Sequence, residues 1–237
     1  FTQLNAEIIN NITINNNDRI SLGTIKTYGN IKLGVNYSEK DLNQILKNLY
    51  GTNFFKEIYL KIENQTLIIN VVENRLVQTI NIIGIKSASL EKVILDALII
   101  KEKAPFVESD IAKDLANIKK SLVFQGYYFS NATSNFVKNN NNTVDIIFDI
   151  YLGEKSKVSI IEFTGDKIFK NRTLRNLITT EEAKFWKFIS GKKYLNRQNL
   201  ALDERLLRQF YLNNGYYDVS VNTSTATILD NNSFKLT

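Results

Sequence analysis

The chain contains no cysteine. Disulfides, thiol catalysis and thiolate metal sites are excluded by that absence, although it does not by itself prove a reducing compartment. Histidine is missing as well, which removes the usual near-neutral general base and the commonest metal ligand. Catalysis would have to rest on carboxylates, lysine or tyrosine. No apolar run approaches the roughly 18 residues that read as a membrane-crossing helix; the longest, such as "VILDALII", are interrupted by charge. The opening "FTQLNAEIINN" has no basic stretch leading into an apolar one, so no signal peptide is read there. The net charge of +6, from 30 basic and 24 acidic residues, is spread along the chain without a Lys/Arg stripe. That distribution argues against a nucleic-acid partner. The run "NNNN" at 139–142 reads as loop filler.

Phosphate loops, nucleophile elbows and metal-ligand spacings are also missing. Candidate acid/base pairs exist only on paper: Glu181 and Glu182 with Lys184, and Asp203 and Glu204 with Arg205. Adjacent helical residues point to different faces, and such charges usually decorate a solvated surface. The expectation is a chain that is not an enzyme and holds no cofactor or metal.

What the chain does contain is one phrase written three times: "YGTNFFKEI" at 50–58, "FQGYYFSNA" at 124–132 and "FYLNNGYYDVSVN" at 210–222. Each follows an amphipathic helical pattern. Leu42, Ile45, Leu46 and Leu49 form one apolar face; Ile111, Leu115, Ile118 and Leu122 a second; Leu202, Leu206, Leu207, Phe210 and Tyr211 a third. Ser38, Ser109 and Asn196 stand as N-caps, with Asp41 completing a capping box. Just past the last apolar turn come Asn53, Gly126 and Gly215, residue types that tolerate a left-handed conformation. Two aromatics and a strand pattern follow each.

Each copy also opens on a strand, at 8–14, 78–83 and 157–163, followed by a tight turn at Asn16, Gly84 and Gly165. A short helix comes next, clearest as "SASLEKVILDAL" and "NRTLRNLI". Buried strands close the copies at 66–74 and 143–153, and a third would begin at 233–237 and run on past the last residue. The unit is therefore β-α-α-β-β, two helices on a three-stranded mixed sheet, an α+β arrangement. It divides the chain into 1–74, 75–153 and 154–237. The joints fall at Asn74 and Arg75, and at Gly153 and Glu154.

Tandem β-α-α-β-β units with a Gly-aromatic-aromatic step resemble POTRA domains. The third copy carries the most specific signal, with Phe185-Trp186, then Gly191 to Tyr194, then Tyr211 to Tyr216. It is similar to the third POTRA domain of BamA-like outer-membrane assembly factors. The first copy departs from the family pattern at Asn16 and Asn53, where glycine is usual. The resemblance implies a periplasmic POTRA array at the outer membrane of a Gram-negative bacterium, preceding further POTRA domains and a C-terminal transmembrane β-barrel. Unfolded β-barrel proteins would be its clients and periplasmic lipoproteins its partners. Other POTRA proteins, such as two-partner secretion transporters and division proteins, generally carry fewer copies.

A three-stranded sheet has two edges, and an open edge can accept an extended peptide as an additional strand. The expected receiving edge is the second strand of each unit: Ile58, Leu60 and Ile62; Phe129 and Phe136; Tyr217, Val219, Ser220, Val221 and Thr223. The alternative is that these side chains simply pack beneath the helices.

Overall fold

A computed structural model describes residues 7–165, 168–184, 191–222, 226–229 and 232–237. Phe185, Trp186 and Thr223 lie outside the described residues. The architecture is α+β. The described residues divide into two compact units, one drawn from 1–81, 99–113 and 134–147, the other from 82–98, 114–133 and 148–237.

In the first unit, β2 (Asn11–Asn15), β5 (Thr66–Glu73) and β4 (Phe55–Glu63) form a sheet in the order β2-β5-β4. The closing strand β5 is central, parallel to β2 and antiparallel to β4. Its alternate residues Leu67, Ile69 and Val71 are buried, and they meet Ile45 and Leu49 of α2 (Glu39–Tyr50) and Ile25 of α1 (Leu22–Gly29) in one core. Helix α2 starts where Ser38 Oγ accepts from Asp41 N and the Asp41 carboxylate accepts from Ser38 N at 2.9 Å, a reciprocal cap. The bonds from the Ser38 hydroxyl and backbone N–H hold the Asp41 carboxyl below its ordinary value.

The opening strand expected over 8–14 is broken in two. β5 begins only at Thr66, after Asn64 and Gln65 at positive φ, so residues before Asn11 find no partner there. Gln65 O accepts from both Asn10 N and Asn11 N. The stretch β1 (Glu7–Ile9) turns instead to β3 (Val35–Tyr37), a strand between the helices, and pairs with it antiparallel. Buried Glu73 at the end of β5 accepts from Arg19 N, Ile20 N and Arg19 Nε at 2.8 to 3.0 Å, anchoring the loop before α1.

A second sheet has the order β6-β8-β7, from β6 (Leu76–Ile83), β8 (Thr143–Tyr151) and β7 (Asn131–Lys138). Its central strand again buries alternate residues, Val144, Ile146, Phe148 and Ile150. The joint residue Arg75 donates to Asn139 O at 2.6 Å, while Asn74 donates through its backbone N to Phe54 O and through its side chain to Asn53 O.

The second unit holds α3 (Ala88–Ala97) and the body of α4 (Asp110–Phe124), and a third sheet of order β10-β11-β9, with β9 (Lys157–Ile161), β10 (Ala226–Leu229) and β11 (Ser233–Leu236). α5 (Asn171–Leu177) and α6 (Arg197–Asn213) pair beside it. Val158, Ile161, Leu195, Phe234 and Leu236 make its core. Asn196 caps α6 by accepting from Gln198 N at 2.8 Å. The outer edge of β9 is covered, since Ala183 N donates to Val158 O and the Glu182 carboxylate accepts from Ile161 N.

Two sequence expectations are corrected here. The third copy's second strand is β10, beginning at Ala226; Tyr217, Val219, Ser220 and Val221 lie before it and outside any strand. The reason is the partner. β11 has four residues, all taken by Ala226–Leu229, so it offers 217–222 no partner. Phe129 also falls outside its strand, because β7 starts at Asn131; its ring stacks on Phe234, centroids 5.9 Å apart. Glu154 was expected at a joint between copies, and it lies in the stretch between β8 and β9. It is exposed, and its ion pair is local, with Lys157 three residues on at 3.5 Å. The stretch 152–156 between β8 and β9 has no ladder of its own. It buries Ser156 and leaves Glu154 to solvent, where a carboxylate keeps its hydration.

Candidate strand-pairing edges

The six turn residues Asn16, Asn53, Gly84, Gly126, Gly165 and Gly215 all sit at positive φ, between 59° and 94°. Those at Asn53, Gly126 and Gly215 reverse the chain out of the long helices and aim it at the sheet edge. At Asn53 the aim is immediate, and β4 begins at Phe55.

β4 is the outermost strand of its sheet. Which of its backbone groups face outward follows from the hydrogen bonds. Gln65 O reaches toward β2, while Asn74 N reaches Phe54 O on the β4 side. Along a strand this alternation has period two, so the odd positions of β5 serve β2 and the even ones serve β4. Ile58, Leu60 and Ile62 oppose Val71, Ile69 and Leu67, all odd. Their own N–H and C=O groups therefore point away from the ladder, to the open edge. Ile58 N–H confirms the direction by donating outward to the Tyr50 hydroxyl at 3.0 Å.

The side chains of those three residues go elsewhere. Ile58 is buried, and Leu60 and Ile62 pack against the core beneath the helices. What this strand offers a partner is thus backbone at the edge and, on the opposite face, Tyr59 and Lys61; Tyr59 is 68% exposed. Sequence reasoning singled out the inward side chains and passed over Tyr59, which the same alternation places outward. Lys56, Glu57, Lys61 and Glu63 line the strand with charge, a common guard against unwanted edge pairing.

β7 is the corresponding edge of the second sheet. Phe136 is half-buried against Phe106, centroids 5.1 Å apart, and Val137 is exposed. In the third sheet the edge is β10, with Ile228 exposed. Upstream of it Tyr217 is 82% exposed, Val219 and Val221 are half-buried, and Ser220 is exposed. Of the candidate residues, Ile58, Leu60 and Ile62 lie on β4 and Phe136 on β7, whereas Phe129, Tyr217, Val219, Ser220 and Val221 stand outside any strand.

The chain around Gly153 and Glu154 is held by contacts that sequence reading did not find. Gly126 O accepts from Ser156 N, and Ser156 O accepts from Leu195 N, both at 2.9 Å. Lys155 Nζ lies over the Tyr127 ring and the Tyr194 ring. Tyr128 packs on Phe234. The repeated aromatic pair of the second copy is thus an anchor for the sheet that follows it, and the residues that meet it are Lys155 and Ser156, next to Glu154.

The carboxylates considered for acid/base work hold loops. Buried Asp203 accepts from Thr179 N and Thr179 Oγ1 at 2.6 Å and from Thr180 N at 3.1 Å. Glu182 is paired with Arg175. Among the described residues no helix is long and apolar enough to cross a membrane.

A profile of the POTRA family, described as a surface antigen variable number repeat, matches residues 76–153 and 156–237. Over 215 residues the chain is 26% identical to the outer membrane protein assembly factor BamA of Neisseria meningitidis serogroup B, covering 90% of this chain and 27% of that protein. It is 22% identical over 223 residues to the protein of the same name from Neorickettsia risticii, covering 91% and 29%. The chain therefore spans less than a third of the length of either relative. A solved structure similar to it is the N-terminal domain of Omp85 from Thermosynechococcus elongatus, with a TM-score of 0.46, 12% identity and 98% of both chains covered. With two successive profile matches taking in well over half of its length, the chain belongs to the POTRA family.

Proposed function

We propose that this chain is the periplasmic POTRA segment of a BamA-like outer-membrane assembly factor, with three successive domains at 1–74, 75–153 and 154–237. In this reading it receives extended segments of unfolded β-barrel proteins on the open edges of β4, β7 and β10, and it also docks accessory lipoproteins of the assembly machinery. Support comes from the relatives named as assembly factors. The observation that carries the reading is the outward backbone of Leu60 and Ile62 on β4. Main-chain pairing there is nearly blind to sequence, which suits a receiver of many different strands. A short interface that must also order a disordered client binds weakly.

NMR titration with peptides from outer-membrane barrel strands tests this. Shifts are expected along 55–63 and 131–138. Leu60→Pro removes an outward N–H and leaves the β4–β5 ladder bonds in place, so it should weaken peptide binding at β4 several-fold while the fold persists. Tyr59→Pro removes an inward N–H and should destabilise the sheet instead. Shifts confined to the helices, unchanged by Leu60→Pro, would overturn edge pairing.

A further inference from the structure

The open edge of β4 presents Ile58, Leu60 and Ile62 outward, and the first of them is already taken. Tyr50, the last residue of α2, brings its hydroxyl to the edge, and Ile58 N–H donates to it at 3.0 Å. Among the described residues no side chain does the same for the N–H of Leu60 or Ile62. A strand added to this edge would set a carbonyl oxygen against each outward N–H it pairs with. The Tyr50 oxygen therefore stands where such a carbonyl would stand.

Other features close the same end of the strand. The β4–β5 register shifts between Phe55 and Glu57, which leaves Lys56 as an extra residue and bends the start of β4. Lys56 and Glu57 are exposed and paired with each other at 3.5 Å, so charge flanks the bend. Leu49, beside Tyr50, is fully buried and holds this turn of the helix on the core. The tyrosine thus has a fixed base, while its own ring is 43% exposed, so burial does not force the bond it makes. The device is peculiar to the first copy. Tyr50 stands three residues before Asn53, and the same place before Gly126 and Gly215 holds Val123 and Leu212, which carry no hydroxyl.

We propose that Tyr50 is a register stop for β4. It closes Ile58 N–H to an incoming strand and confines main-chain pairing to Leu60 and Ile62, on the side toward the turn at Asn64 and Gln65. A client strand then pairs through one N–H and one C=O from each of those two residues. So short an overlap keeps binding weak and release easy. This rests on the edge reading above and adds to it the point at which a client's pairing must end.

The test compares the native chain with Tyr50→Phe, which keeps the ring and removes the oxygen. Amide exchange and peptide affinity are read by NMR with the same outer-membrane barrel-strand peptides. Without peptide, Ile58 N–H should exchange about tenfold faster in the variant. Tyr59 and Lys61, whose N–H groups face β5, should keep their protection, which shows that the sheet persists. With peptide, Leu60 and Ile62 should gain protection in both proteins, whereas peptide should protect Ile58 in Tyr50→Phe alone. Affinity at β4 should rise about two- to tenfold in the variant, the range for one added main-chain bond. Peptide shifts along 131–138 should be the same in both proteins. Peptide that slows Ile58 as much in the native chain as in the variant, or affinity at β4 that Tyr50→Phe leaves unchanged, would overturn the stop alone. No response at Leu60 and Ile62 in either protein would overturn the edge reading and the stop with it, so the two failures are told apart.

Discussion

Gly84 and Gly215 share a backbone conformation and differ in what surrounds them, which makes them a paired experiment. Their φ angles are 88° and 87°. A Cβ at Gly215 would meet nothing within 4 Å, whereas one at Gly84 would stand 1.9 Å from Ile150 O and 2.9 Å from its carbonyl carbon. Gly215→Ala therefore carries backbone strain alone, about 1–2 kcal/mol for a left-handed alanine. A gain of about 0.4–1 kcal/mol from the stiffened unfolded chain offsets part of it. The net loss should be about 1 kcal/mol. Gly84→Ala carries the same strain and must also displace a carbonyl of β8, the central strand, by more than about 1 Å. Overpacking of that kind adds about 1–3 kcal/mol, for a total of about 2–4 kcal/mol. Urea unfolding followed through resolved amide peaks of α3 and α6 reports each region separately, which avoids forcing a two-state fit on a chain of several units. Losses at the two sites equal to within about 0.5 kcal/mol would refute the argument, since the close approach to Ile150 would then count for nothing.

Two further outcomes follow from buried or bonded carboxylates. The Asp145 carboxyl accepts from Thr79 Oγ1 at 2.6 Å and Asn139 Nδ2 at 2.8 Å, and these bonds hold it below its ordinary value. A depressed folded-state pKa contributes stability above the unfolded value, near 3.9, that is lost as pH falls through the folded one. The stability gap between the native chain and Asp145→Asn should therefore shrink as pH falls below about 4; urea midpoints showing a constant gap from pH 6 to pH 2 would contradict this. Asp203→Ala leaves Thr179 N and Thr180 N without their acceptor, and should destabilise the α5–α6 region by about 2–4 kcal/mol, read as faster amide exchange across 178–182 and α6.

The β-α-α-β-β repeat was legible because its parts obey local rules. An apolar stripe such as Leu42, Ile45, Leu46 and Leu49 admits one helical face, and alternation in "TLIINVVEN" admits one buried strand. Asn or Gly after the last apolar turn carries its geometry openly, because few residue types accept positive φ. Much of the candidate site was not legible in the same way. Alternation says that Ile58 and Tyr59 face opposite sides, but which side is core depends on where α2 lies. The outward direction of the Leu60 N–H depends on the register with β5, and register is a property of two strands. Counting copies placed a joint at Gly153 and Glu154, but which side chains hold the chain there depends on where Tyr127 and Tyr194 lie, and these meet Lys155.

What the sequence by itself determined is the β-α-α-β-β order of the repeat and the fold class, since apolar periodicity and turn residues act within a few residues; β3, a strand between the helices of the first copy, was not among them. Tertiary structure alone decided where strands begin and end and which aromatic meets which. "YDVSVNTST" has every local mark of a strand, yet its described residues stand unpaired before Ala226, because a strand exists only where a neighbour of matching register supplies the other half of its hydrogen bonds. "EIINNITI" likewise reads as one strand, and it divides between β3 and β5 because β5 starts too late to pair with its first half. Phe129 left its expected ladder for the ring of Phe234, more than a hundred residues away in sequence, a meeting that depends on the packing of two sheets and leaves no trace in either segment alone.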